Sequence, residues 1–297
     1  MLAFVTSLPH PANCASYTRR SELLRATLGS ILAQTDPDIM VVVVANEAPE
    51  GDLPDDPRIR MVPVSYAPPH RPEGKPVITD AMYADKGAKL GVGTAIATQS
   101  GAEYVMFVDS DDYVSRQLAG FTAAASGEPG WYSDSGYFHV RGSRTVTPVL
   151  RDFHQRNGST HILRTDLVAV PADLDITAPR DEVIERIGRK LVRSLMGDHK
   201  WIVSYFEQMG EPLLPLPFAA AIWEIGTGEN FSQVLAAAGS KVPVAGSISE
   251  EYGLPVPARW QALRSELGGL RARVATRLDR RRESVDELRE RIQRDGG

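Results

Sequence analysis

The chain has 297 residues, 24% of them charged and 42% hydrophobic, and a formal net charge of -5, the proportions of an ordinary soluble globular protein with room for one α/β core and an appendage. The acidic balance speaks against general nucleic-acid binding, and no stretch approaches the ~18 apolar residues of a membrane span. The single Cys14 excludes an internal disulfide and fits a reducing compartment, where it reads as a small semi-buried filler.

Residues 1–8 are apolar, lack a basic leader and are cut off by Pro9 and Pro11, so they read as a first strand and not as a signal peptide. A cytoplasmic protein is expected. Leu23, Leu24, Leu28, Ile31 and Leu32 then recur at helical spacing until Pro37 closes the segment. The valine-rich run 39–45 predicts a second buried strand, and 58–66 a third nearer an edge, because Pro63 cannot donate to a ladder. Over 85–98, Ala88, Leu90, Gly91, Ala95 and Ile96 fall where a helix buries them. This βαβ succession predicts a parallel sheet with right-handed crossovers. Two long proline-rich connections, 46–57 and 66–76, are placed to wall a site.

The next strand carries the most informative signal. The run Tyr104-Val105-Met106-Phe107-Val108 stops at Asp109-Ser110-Asp111-Asp112 before Tyr113 and Val114 resume the apolar pattern. Such a run predicts a strand buried on both faces, and ligands of parallel sheets bind outside the carboxyl ends of their strands. Like charges this close raise each other's pKa or recruit a counter-ion, and alternate carboxylates at a loop suit a hard divalent cation carrying a phosphorylated ligand. A solvated turn is the alternative, since Asp and Ser are ordinary turn residues.

The opening strand, the helix carrying Ser30-Ile31-Leu32-Ala33-Gln34-Thr35, the valine strand and Phe107-Val108-Asp109-Ser110-Asp111-Asp112 together resemble the nucleotide-sugar half of a GT-A fold glycosyltransferase of the family 2 type. The resemblance covers residues 1–115 well and the remainder loosely. It implies a mixed, mainly parallel Rossmann-like sheet flanked by helices. It also implies a Mn²⁺ or Mg²⁺ ion held by Asp111 and Asp109 against the diphosphate of a sugar nucleotide, with Asp109 leaning toward the ribose. Thr6, Ser7 and Leu8 would line base and ribose beside Ser110, Glu47 would read the base or stand as a solvated loop acid, and Lys86 and Lys89 would offset diphosphate charge or merely solvate their helix. The donor is expected to be UDP-linked and transfer to invert the anomeric centre. Asp112 is expected behind the metal or as a cap.

The second half should supply the acceptor, a glycan or other hydroxyl compound. Trp131-Tyr132-Ser133-Asp134-Ser135-Gly136-Tyr137 reads as a strand edge whose aromatics and hydroxyls suit a sugar face, making Trp131 and Asp134 candidate contacts; a core strand with one buried tryptophan is the favoured structural alternative. Asn157-Gly158-Ser159-Thr160 reads as a turn feeding a strand. Enzymes of the resembled kind place an acid at a helix entrance near Gly197-Asp198-His199-Lys200-Trp201, which points to Asp198 as general base and to His199 and Trp201 as acceptor contacts. Asp198 as a helix cap is the structural alternative. Where such enzymes lend a histidine to the metal, this chain offers Glu224 or Glu229, or leaves the position to water, and Gly226 and Gly228 between them suggest a loop that orders over the donor.

The layout expected is a domain over 1–240, split near 115, a Pro/Gly/Ser-rich linker or strap over 241–258, and an amphipathic helical tail over 259–297. Leu263, Leu267, Leu270, Val274, Leu278, Val285, Leu288 and Ile292 give that tail a seam suited to homodimerisation or packing on the domain. Its arginines allow docking on the inner membrane surface. Two other function classes compete: a haloacid-dehalogenase-like phosphatase, whose Asp-x-Asp normally opens the chain and does not do so here, and a non-catalytic sugar-binding scaffold of the same fold.

Overall fold

A computed structural model of the chain describes residues 1–70, 79–171, 173–229 and 240–258. The first half alternates as its hydrophobic periods dictate: β1 (Leu2–Ser7), α1 (Tyr17–Leu32), β2 (Ile39–Ala45), β3 (Ile59–Pro63), α2 (Asp80–Gln99) and β4 (Tyr104–Phe107). Then come β5 (Tyr113–Val114), α3 (Leu118–Ala124), β6 (Gly130–Tyr132), β7 (Gly136–Val140), β8 (Thr145–Val149) and β9 (His161–Arg164). A helical stretch follows, with α4 (Arg180–Ile187), the single turn α5 (Arg189–Leu191), a π-helical turn over Val192–Gly197 and α6 (Ile202–Gln208). The described chain continues with β10 (Leu214–Pro215), β11 (Ala221–Ile225), β12 (Val242–Pro243) and α7 (Ser247–Tyr252).

The main sheet has the order β10-β6-β9-β4-β1-β2-β3. Strands β1 to β4 run parallel, and β9 lies antiparallel between β4 and β6. Pro63 sits on the edge strand β3, the position open to a residue without an N–H. Alternation along the strands divides the core. Ala3, Val5, Val42 and Val44 face α2 and α4, whereas Leu2, Phe4, Val41 and Val43 face α1 and α3. Helices therefore cover both faces of a mixed, mainly parallel sheet, the architecture expected from the sequence. Two glycines let α2 lie close to its neighbours: a Cβ at Gly87 would stand 2.2 Å from the Val192 carbonyl oxygen, and one at Gly93 2.3 Å from Val5 Cγ1.

The second sheet, β12-β8-β7-β11-β5, corrects one expectation and decides between two others. Residues 131–137 are not one strand, for β6 belongs to the main sheet and β7 to the second. Ser133 makes the crossing, its hydroxyl donating to the Ser135 carbonyl at 2.7 Å and accepting the Ala220 N–H at 2.9 Å. Residues 242–258 are a strap more than a spacer: β12 extends the second sheet, and Val244, Ile248, Tyr252 and Leu254 pack on Tyr113, Val146 and Ile222. The tail read at 259–297, with its dimer and membrane-surface expectations, lies outside the described residues, as do Pro72 and Pro76. Among the described residues no helix is long and apolar enough to cross a membrane.

Candidate active site

A cavity of about 470 Å³ opens at the carboxyl ends of β1 and β4. Ser7 and Leu8 line it from β1, Asp109, Ser110 and Asp111 from the turn after β4, and Lys86 from α2. Asp198 and His199 also line it, brought in by the chain between the π-helical turn and α6. The sequence thus places most of its candidate residues in one site, at the strand ends where a parallel sheet offers one.

The acidic turn is held from behind. Asp112 is fully buried, and its Oδ2 accepts from Asn157 Nδ2 at 2.7 Å and Ser159 Oγ at 2.6 Å. Ser159 Oγ also accepts the Asp109 N–H at 2.9 Å, so the 157–160 turn fixes both ends of the triplet. Burial, then the charges of Asp111 and Asp109, push the Asp112 carboxyl well above the usual range. Asp112 therefore supports the turn and does not face the cavity.

The other two acids differ from it. Burial opposes ionisation of Asp109, yet Lys86 Nζ at 2.5 Å, with His199 and Arg20 beyond, holds its carboxyl below the usual value. Asp111 meets Arg20 at 3.3 Å, but burial together with the charges of Asp109 and Glu224 pushes it up to about 6. A Cβ on Gly158 would stand 2.8 Å from Asp109 Oδ2, so the glycine leaves this carboxylate its room.

In the same lining, Asp198 Oδ1 accepts the Lys200 N–H at 3.4 Å, and Oδ2 lies 3.5 Å from Arg193. It caps the short turn His199–Trp201 and faces the cavity at once. Burial, with the charge of Lys86, pushes His199 down to about 4, so its imidazole is neutral at neutral pH. Its Nε2 is buried with no hydrogen-bond partner among the described residues.

Six sequence candidates stand elsewhere. Thr6 is fully buried one residue below the cavity floor. Lys89 is wholly enclosed, its Nζ 2.7 Å from Asp85 and 2.9 Å from the Leu8 carbonyl oxygen, so it holds the β1 terminus to α2 and does not reach a ligand. Glu47 is exposed outside the cavity lining, its carbonyl accepting from Tyr17 Oη at 2.6 Å. Trp131 is a core residue, 5.1 Å from the Tyr104 ring and 5.5 Å from that of Phe121. Asp134 accepts the Asp152 N–H at 2.8 Å away from the cavity, and Trp201 points to solvent with 57% exposure.

The cavity also contains residues that the sequence reading did not assign. Arg20, 4% exposed, reaches Asp111 and donates to the Glu229 carbonyl oxygen at 2.5 Å. A signal was present: Arg20 continues the buried helical stripe of Leu24, Leu28 and Ile31, where a solvated arginine would not fall. Phe138 and Trp223 add apolar wall, and Pro69 and Met82 line the cavity from the loop after β3 and from α2.

The donor set decides what cation the site can hold. Among the described residues no three His, Cys, Asp or Glu side chains converge as a metal cage. Glu224 is engaged by His139 at 3.1 Å and Arg141 at 2.7 Å, and Glu229 accepts the Ser16 and Ala15 N–H groups at 2.6 and 3.1 Å. Neither is available as the third ligand considered from sequence. That leaves Asp109 and Asp111, each in an ion pair, with Lys86 and Arg20; two carboxylates alone would suit only a hard cation that draws most of its ligands from outside the protein, as Mg²⁺ commonly does.

No family model matches the chain, and no curated protein does. Solved structures similar to it include S. aureus TarS 1-349, at 15% identity over 75% of this chain and a TM-score of 0.39, of which the chain spans only 60%. The galactosyltransferase LgtC in complex with donor and acceptor sugar analogs matches at 12% identity, 75% of this chain and 87% of that one, with a TM-score of 0.37. The 4-diphosphocytidyl-2C-methyl-D-erythritol synthase of Anaerococcus prevotii matches at 9% identity, 78% and 91%, with a TM-score of 0.35.

Proposed function

We propose that the chain is a metal-dependent GT-A glycosyltransferase, moving a sugar from a nucleotide-diphosphate donor, UDP-linked, to a hydroxyl of a glycan acceptor with inversion. The observation that carries this reading is the meeting of Asp109, Asp111 and Asp198 in the lining of one cavity at the carboxyl ends of β1 and β4. Inverting transfer needs a site for the diphosphate and a base for the acceptor proton, and we assign the first to Asp109 and Asp111 and the second to Asp198.

Ser7 and Leu8 would receive the nucleoside at the β1 terminus, and Asp109 and Asp111 would hold the divalent cation. When bound, that cation acts as a Lewis acid toward the departing diphosphate. Lys86 keeps Asp109 ionised and adds positive charge on the same side. Asp198 would take the acceptor hydroxyl proton onto a carboxylate oxygen as the anomeric carbon is attacked. Neutral His199, which lines the cavity beside Asp198, would help shape the place of that hydroxyl. Phe138 and Trp223 supply apolar wall that limits water beside the reacting carbon.

The test is incubation with a panel of nucleotide sugars and sugar acceptors in Mn²⁺, reading free nucleotide diphosphate and glycosylated product. Asp198→Asn is expected to keep UDP affinity within about twofold and to lose at least ~10²-fold in turnover. A fully active variant would place the base elsewhere. Phosphate released from simple phosphoesters would favour the phosphatase class, and sugar binding without turnover the scaffold class.

A further inference from the structure

Charges in the cavity are almost all matched. Asp85 pairs with Lys89 at 2.7 Å and Arg180 at 3.1 Å, Asp109 with Lys86, Asp111 with Arg20, and Asp198 with Arg193. Glu229 is capped by two backbone N–H groups and lies 3.8 Å from Arg20. Two lining cations remain outside this scheme, Arg156 and Lys200. Both are exposed, and neither side chain makes an ion pair or hydrogen bond among the described residues.

Their positions are fixed although their side chains are free. Arg156 follows the turn Phe153–Gln155, its N–H donating to the Phe153 carbonyl at 2.9 Å. Lys200 lies in the turn His199–Trp201, its N–H donating to Asp198. These two turns pack against each other, so both cations rise from one wall. That wall carries Asp198 and His199, and Lys200 lies two residues from Asp198, whereas Lys86 and Arg20 pair with the acids of the turn after β4. Unpaired lysines and arginines on open surface merely solvate it. Inside a cavity whose other charges are compensated, the low-dielectric walls focus the field of the two that are not.

We infer that Arg156 and Lys200 form an anion subsite that holds a phosphate or carboxylate group of the acceptor beside the base. This rests on the reading of Asp198 as the acceptor-side base and narrows the acceptor to an anionic sugar or glycan. An arginine fork with a lysine point charge suits a phosphate or carboxylate, and places the neighbouring sugar hydroxyls at Asp198.

The test is calorimetric titration of the full chain, saturated with UDP and Mn²⁺, with glucose 6-phosphate, glucuronate and glucose as probes. The anionic sugars are expected to bind at least ~10-fold more tightly than glucose, and the difference to shrink as NaCl is raised from low to high concentration. Comparison of the two anionic probes separates phosphate from carboxylate. The double variant Arg156→Gln/Lys200→Gln, both positions being exposed, is expected to fold normally, to bind all three probes like glucose, and to keep its UDP affinity. Equal binding of the three probes by the wild type would overturn the inference. So would a double variant that loses UDP affinity, since the cations would then belong to the donor diphosphate. The same titrations without nucleotide keep the two readings apart: anion binding that survives in a protein failing to bind UDP would sink the glycosyltransferase assignment and leave the subsite standing.

Discussion

Lys89 offers a sharp test, because sequence and structure assign it different work. As a donor contact it would bind diphosphate; in the structure it is fully buried between Asp85 and the Leu8 carbonyl oxygen. Lys89→Met preserves most of the side-chain volume and removes the charge. Asp85 would then keep only Arg180, at 3.1 Å and 21% exposed, and the Leu8 carbonyl would lose its side-chain donor. Breaking a buried pair costs about 3–5 kcal/mol, and Arg180 retains part of it, so a loss of about 3 kcal/mol is expected. For a chain of this size that is a fall in Tm of roughly 6–12 °C. Denaturant unfolding gives the free energy, and calorimetry on the folded variant gives UDP affinity, expected to stay within about threefold of wild type. The double variant Lys89→Met/Asp85→Leu should recover a good part of the loss, because most of it comes from stranding a buried carboxylate. A Lys89→Met protein with wild-type stability and at least ~10-fold weaker UDP binding would refute this account of α2.

Two further predictions concern the acidic turn. Because Asp111 is pushed up to about 6, its carboxylate is mostly protonated at pH 5 and mostly ionised at pH 7. Cation affinity should therefore rise with pH through about 6, Mn²⁺ binding by calorimetry being about tenfold weaker at pH 5 than at pH 7; a flat profile would show that Asp111 is no ligand. At Gly158, alanine would set a Cβ 2.8 Å from Asp109 Oδ2 and force the carboxylate to turn. Gly158→Ala is expected to lower Mn²⁺-dependent UDP affinity by about tenfold while costing no more than about 1–2 kcal/mol of stability. Unchanged affinity would mean that the orientation of Asp109 is immaterial.

What was legible in the sequence was local. Unbroken apolar runs marked β1, β2 and β4, and Pro63 put β3 on an edge, because each signal lies within its own segment. The Asp109-Ser110-Asp111 turn was legible for the same reason, being the abrupt polar end of a buried strand. Residues 131–137 misled because an aromatic strand reads alike in a core or at a sugar site, and nothing local marks Ser133 as the point where the chain changes sheets. Asn157 and Ser159 looked like turn chemistry; their task is to bind Asp112 from more than forty residues away, a pairing only the tertiary fold creates. Arg20 and Lys89 illustrate the two ways a helical cation can be misjudged. One sits on a buried stripe and enters the cavity, while the other was expected at the ligand and is sealed beneath it.

The most direct measurement of the central claim is the affinity of UDP by calorimetry in Mn²⁺ and in EDTA, for wild type and for Asp111→Asn. Wild type is expected to lose at least ~10-fold in affinity when Mn²⁺ is removed, and Asp111→Asn to bind equally weakly in both conditions. Tight UDP binding by the variant in Mn²⁺, or by wild type in EDTA, would contradict that claim.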